Sequence, residues 1–204
     1  AIASMAAPAL IALLRDKSSS EFQKAKASMR LGELGAKEAI APLAALLADE
    51  HLSTYARYGL EPMPDPSASE VLRAALPKLR GNLLIGVIHS LGKRRDELAV
   101  PALAKMLYNP NPDLARAAAS ALGAVGGLAA AKELQAALPK TTGMTKMAVA
   151  DAALVCSERL LEAGKRDQAL ALYAVLASPA MPKAQRLAAM SGIIREERSL
   201  GRPR

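Results

Sequence analysis

Apolar positions recur along this chain with a helical period and within a longer repeat. Three segments, 31–47, 91–107 and 122–138, align without gaps. Each carries a Leu-Gly pair at the end of one apolar run (Leu31-Gly32, Leu91-Gly92, Leu122-Gly123). Eleven residues after that glycine comes a leucine (Leu43, Leu103, Leu134), and four further on another (Leu47, Leu107, Leu138). Ile40, Val100 and Ala131 stand three residues before the first leucine, which completes one face of a second helix. Gly32, Gly59, Gly92 and Gly123 mark intervals of 27, 33 and 31 residues. Each unit thus predicts a first helix closed by Leu-Gly, a tight turn and a second helix, with Gly35 and Gly126 as turn-forming ends. Pro42 and Pro101 fall in the first turn of the second helices, where a missing N–H is tolerated.

The predicted elements are a first helix at 7–14, then hairpins 21–34 with 37–48, 52–60 with 68–79, 82–91 with 97–107, 113–122 with 129–138, and 145–163 with 166–177. A final helix covers 183–195. Neither helix of a pair buries its apolar face alone, but stacked pairs do. The expectation is an all-α fold, a right-handed α-α superhelix of about five helical hairpins, with 1–204 as a single repeat domain. Its core includes Leu91, Val100, Leu103, Leu107, Leu122 and Leu134.

Composition narrows this further. Apolar residues make up 51% of the 204, enough for a sizeable core, while aromatics are only 2% and tryptophan is absent. That scarcity argues against sandwiches and barrels, whose strands favour aromatic and β-branched residues, and it weakens any base-stacking surface. No apolar run approaches the roughly 20 residues of a spanning helix. The chain starts with alanine, which is expected of a processed or trimmed piece.

The formal charge is +8, and six basic residues without an acid (Arg73, Lys78, Arg80, Lys93, Arg94 and Arg95) lie in 71–95. Four arginines follow 194, against Glu196 and Glu197. Such a stripe meets nucleic acid, an acidic partner or anionic lipid, or is simply a solvated face.

Catalytic chemistry finds little footing. His51, His89 and Cys156 are scattered singly, so no metal site is expected. His89 reads as a core histidine and Cys156 as a small buried hydrophobe. There is no nucleophile elbow, and Gly123-Ala-Val-Gly-Gly127 lacks the lysine and the preceding strand of a phosphate loop. No catalytic residue, cofactor or metal is therefore assigned. Two places remain for binding: Tyr55, Arg57, Tyr58 and Glu61 before the connector Glu61-Pro-Met-Pro-Asp-Pro66, and the turn Lys93-Arg94-Arg95-Asp96. Arg94 and Arg95 suit bidentate capture of a carboxylate or phosphate. The alternative is that the tyrosines pack between units while Arg95 and Asp96 cap helix ends. The candidate binding set is Tyr55, Arg57, Tyr58, Arg94 and Arg95, with the second-helix face from Ala41 to Lys105 next in line.

The repeat resembles HEAT repeats, in a short form similar to the phycobilisome-lyase type rather than the longer form of about 40–47 residues. Asp113-Leu-Ala-Arg-Ala-Ala-Ala-Ser-Ala-Leu-Gly123 carries the resemblance best, although Ala115 holds the usual arginine position and Lys24 its counterpart in the first unit. Tyr55–Asp65, Leu83–Ile88 and Leu91–Asp96 resemble a HEAT-repeat group from planctomycete and verrucomicrobial bacteria. Gly164, Ala169, Tyr173 and Pro182 resemble the second half of a tetratricopeptide repeat. The resemblance implies a non-enzymatic scaffold for a protein or peptide partner. It also implies an extracytoplasmic, periplasmic location, because such proteins often carry export signals; the cytoplasm is the alternative. Nucleic-acid binding through 71–95 and the C-terminal arginines is the alternative function. HEAT-like DNA glycosylases resemble this chain in size and charge, but they rely on tryptophans that it lacks.

Overall fold

The computed structural model describes residues 2–200, and all its elements are helical. After a 3-10 turn at Ile2–Ser4 come α1 (Ala7–Arg15), α2 (Glu21–Leu34), α3 (Ile40–Ala44), α4 (Ser53–Leu60), α5 (Ser67–Ala75), α6 (Gly81–Lys93), α7 (Val100–Met106), α8 (Pro112–Val125), α9 (Gly127–Ala137), α10 (Gly143–Glu162), α11 (Arg166–Leu176) and α12 (Lys183–Leu200). Further 3-10 turns lead into α3 and α7 and follow α9. The helices of the five predicted pairs correspond in chain order to α2 and α3, α4 and α5, α6 and α7, α8 and α9, and α10 and α11. Internal contacts divide the chain into two compact units, Ala1–Arg94 and Arg95–Arg204, where the sequence suggests a single domain.

In the first unit α2 packs against α1 and α4, α3 against α4 and α5, and α6 against α4 and α5. A capping box starts α2: the Ser20 hydroxyl accepts from the Gln23 amide while the Gln23 side chain accepts from the Ser20 amide at 2.8 Å. Gly35 ends the helix in the left-handed region at φ 62°. In the second unit α8 lies against α7, α9 and α10, and α10 also meets α11 and α12. Leu103, Leu122 and Leu134 are completely buried there, with Val100 and Leu107 nearly so; Leu91 is completely buried in the first unit.

One sequence expectation shifts. The Leu-Gly pairs do not close their helices. Runs α2, α6 and α8 continue past Gly32, Gly92 and Gly123 by one or two residues. Gly32 and Gly123 serve packing instead. A Cβ on Gly123 would lie 2.8 Å from the Ala152 carbonyl oxygen of α10, so the missing side chain lets α8 and α10 come into backbone contact. The true left-handed ends are Gly35 and Gly126.

The last helix also outruns its predicted end at 195. Arg195 bonds Glu158 of α10 at 2.6 Å, and the Arg166 side chain of α11 donates to the Glu196 carbonyl at 3.1 Å. These ties hold a further turn rich in helix-forming Glu and Arg.

Candidate functional site

Helix α4 organises the first candidate. Before it, the Asp49 carboxylate accepts from the amides of His51 and Leu52, both at 2.9 Å, which fixes where the helix starts. Helical spacing then places Tyr55 and Tyr58 together on the outer side, 37% and 47% exposed. Arg57 and Glu61, one turn apart, face α6.

The Glu61 carboxylate is almost wholly buried, its side chain only 6% exposed. One oxygen accepts from the Ser90 hydroxyl at 2.8 Å and the other from the Lys93 ammonium at 2.6 Å. Arg57 approaches the same carboxylate at 4.0 Å. The Arg57 guanidinium also donates to Thr54 at 3.2 Å and reaches Ser90 at 3.4 Å. It lies flat over Gly86, where a Cβ would come within 2.6 Å of Nε. Burying a carboxylate is costly unless it is paired and hydrogen-bonded in this way. The carboxylate in turn holds the Lys93 ammonium above its ordinary pKa, chiefly by the hydrogen bond between them. The Arg57 and Lys93 charges stand 6.0 and 5.9 Å from the Tyr58 ring centroid, within cation–π range. Tyr58 is therefore an exposed ring braced from below by two fixed cations.

Arg94 faces inward. Its Nε donates to Ser69 at 2.8 Å, one terminal nitrogen to the carbonyls of Leu60, Glu61 and Met63 at 2.7–2.9 Å, and the other to Asp65 at 3.3 Å. The connector 61–66 contains three prolines, which lack donors of their own, and Arg94 supplies a donor to its Glu61 and Met63 carbonyls and a second one to Asp65, which also accepts from the Ala68 amide. That guanidinium is committed to the fold rather than to a ligand.

Arg95 belongs to the second unit. It adopts a left-handed φ of 51°, the one non-glycine residue to do so among those described. With Glu97, Arg159, Glu162 and Lys165 it lines a polar recess of about 310 Å³. Asp96 does cap the following turn, its carboxylate accepting from the Leu98 amide at 3.3 Å.

The other sequence candidates are placed as follows. His89 is not a core histidine: it sits on the exposed side of α6, where partial burial and the Arg57 charge hold its pKa below the ordinary value. Cys156 is fully buried, and burial pushes its thiol up to about 11. On the second-helix face of the first unit, Ala44, Leu47, Ala48, Val71, Ala74 and Lys78 line an apolar groove of about 240 Å³. Ser90 and Lys93 complete the Glu61 cluster although neither stands in the candidate set. The available signal was a serine four residues after Gly86 in an otherwise apolar run.

Residues 69–153 match the HEAT repeat family. The structure of the complex of CpcE and CpcF of phycocyanin lyase, from Nostoc sp. PCC7120, is similar at a TM-score of 0.55. The match has 21% identity and covers 95% of this chain and 88% of that one, and it shows a shared all-α repeat fold. Human deoxyhypusine hydroxylase in complex with glycerol is similar at a TM-score of 0.46, with 18% identity over 74% of each chain. No curated protein matches the chain in sequence. Among the described residues no helix is long and apolar enough to cross a membrane.

Proposed function

We propose that this chain is a non-enzymatic scaffold that binds a protein or peptide partner, with the Tyr55–Tyr58 ridge of α4 as its contact. The observation that carries this reading is a pair of exposed tyrosines on a helix tied to α6 through the buried Glu61 carboxylate. Tyrosine offers a large contact area with few rotamers to freeze, and it is enriched at binding hot spots. Bracing by Arg57 and Lys93 lowers the ordering penalty on association further.

Two observations support a protein partner over nucleic acid. Lys93 is paired with Glu61 and Arg94 with the connector. Arg80 donates to the carbonyls of Pro77 and Leu79 at 2.8 and 2.7 Å. Much of the basic stretch is thus engaged internally. The raised pKa and full burial of Cys156 support a role without nucleophilic catalysis.

The test is quantitative affinity capture from the native host, comparing wild type with Tyr55→Ala/Tyr58→Ala at matched thermal stability. Loss of a defined set of proteins from the variant is expected. Retention of every partner would place the contact elsewhere, and captured material that disappears on nuclease treatment would favour nucleic acid.

A further inference from the structure

Helix α12 is apolar on two opposite sides. Its inner side is seated: Gln185 donates to Asp151 at 2.7 Å, Ala189 is fully buried, and the Tyr173 ring covers Gly192, where a Cβ would lie 2.8 Å from Cζ. The outer side carries Leu187, Met190 and Ile194, which are 52%, 45% and 46% exposed. At 100° per residue these three lie directly opposite Gln185, Ala189 and Gly192.

The spacing of the outer side chains identifies the shape that fits them. Leu187, Met190 and Ile194 keep the 3–4 spacing of a heptad seam, which continues to Lys183 before them and to Glu197, beside Arg198, after them; a seam this narrow accepts one helix rather than a broad surface. Charge identifies the chemistry. Lys183, Arg186 and Arg198 border the seam, and none has an acidic partner among the described residues, while Glu197 is the single acid beside them. Two copies of α12 packed together would set Lys183 against Lys183 when parallel and the Lys183 end against the Arg198 end when antiparallel. The second arrangement brings Glu197 near Lys183, yet either one gathers three cations and a single acid from each copy, a net excess of like charge.

We propose that the outer seam of α12 docks a single amphipathic helix whose apolar stripe is flanked by acidic residues. This surface lies on the second unit and does not depend on the α4 ridge.

The experiment uses the full chain and two stapled helical peptides of about three heptads. Both carry leucine at the seam positions, with glutamate at the flanking positions in one and lysine in the other. Fluorescence anisotropy should show the glutamate peptide binding, more weakly as salt rises, and the lysine peptide failing to bind. Leu187→Ser/Ile194→Ser should weaken binding about tenfold or more, the scale of losing apolar anchors. Lys183→Glu/Arg198→Glu should switch the preference to the lysine peptide. Both variants alter exposed side chains, so helix content and melting midpoint serve as controls, and Tyr55→Ala/Tyr58→Ala should leave this binding intact. Equal binding of both peptides, binding of neither, or indifference to both variants would overturn the proposal. A concentration-dependent dimer that Ile194→Ser dissolves would also overturn it, because the occupant would then be a second copy.

Discussion

Gly32 of α2 and Gly59 of α4 meet backbone to backbone. A Cβ on Gly32 would lie 2.6 Å from the Gly59 carbonyl oxygen and 2.8 Å from its Cα, and one on Gly59 would lie 2.5 Å from the Ser28 carbonyl oxygen. Two helices cross here at a distance that side chains do not permit. Neither neighbour is the flexible end of a side chain, so relief requires moving a helix.

That contact gives the first prediction. In an isolated helix Gly→Ala is favourable by about 1 kcal/mol, whereas forcing a methyl between packed backbones typically costs about 1–3 kcal/mol. Because both obstructing groups are backbone, overpacking dominates. Gly32→Ala should lower the unfolding free energy by about 2 kcal/mol in chemical denaturation. A variant as stable as wild type would show that α2 and α4 do not cross at these residues.

Leu103 is completely buried on α7. Leu103→Ala should destabilise by about 2–5 kcal/mol through lost transfer energy and a residual cavity. A loss below about 1 kcal/mol would contradict the phase assigned to the second helices.

Arg94 answers four backbone carbonyls and one hydroxyl. Arg94→Ala takes the guanidinium from the Glu61 and Met63 carbonyls, while Leu60 and Asp65 keep the amides of Met63 and Ala68, and should destabilise the first unit by about 2–3 kcal/mol. Lysine presents its donors from one point and does not reproduce the fork, so Arg94→Lys should recover only a minor part. Full recovery by lysine in a denaturant titration would show that charge alone sufficed.

Cys156 should not react with a disulfide reagent at about pH 8 while the chain is folded, since its thiol lies near 11 and is shielded from solvent. Reaction should begin at the denaturant concentration where helicity is lost. Rapid labelling of the native protein would refute the packing around α10.

Asp65 gives the pH dependence. The Ser67 hydroxyl and amide, and then Lys37, hold its carboxyl at about 2, below the ordinary 3.8. A carboxylate depressed in the folded state stabilises it above the unfolded pKa and loses that contribution as pH falls through the folded value. The melting temperature should therefore drop between about pH 4 and pH 2, and Asp65→Asn should flatten part of that drop. An Asp65 resonance titrating near 3.8 would disprove the assignment.

The core was legible because leucine spacing at a helical period states directly which face is inside, as at Leu103, Leu107 and Leu134. Tyr58, Arg57 and Glu61 were legible as a group because they share one turn of one helix. Lys93 was hidden from that group: it meets Glu61 across 32 residues of chain, a distance local patterning does not span. His89 looked internal because its neighbours are apolar. Yet Asn82, His89 and Lys93 recur on one exposed side of α6, and that polar row outranks the immediate neighbours. The internal bonds of Arg94 were hidden for a different reason. A cation in a turn looks available until the carbonyls left over by Pro62, Pro64 and Pro66 are counted.

The segment 61–66, with three prolines in six residues, has the composition of a spacer, and it is where an engineer would first splice in a tag or a foreign loop. With one guanidinium gripping its backbone at Glu61, Met63 and Asp65, and at Leu60 just before it, it behaves as a rivet. Added residues there would pull the carbonyls out of reach of Arg94, and the loss would register as a poorly folded first unit rather than as a longer tether.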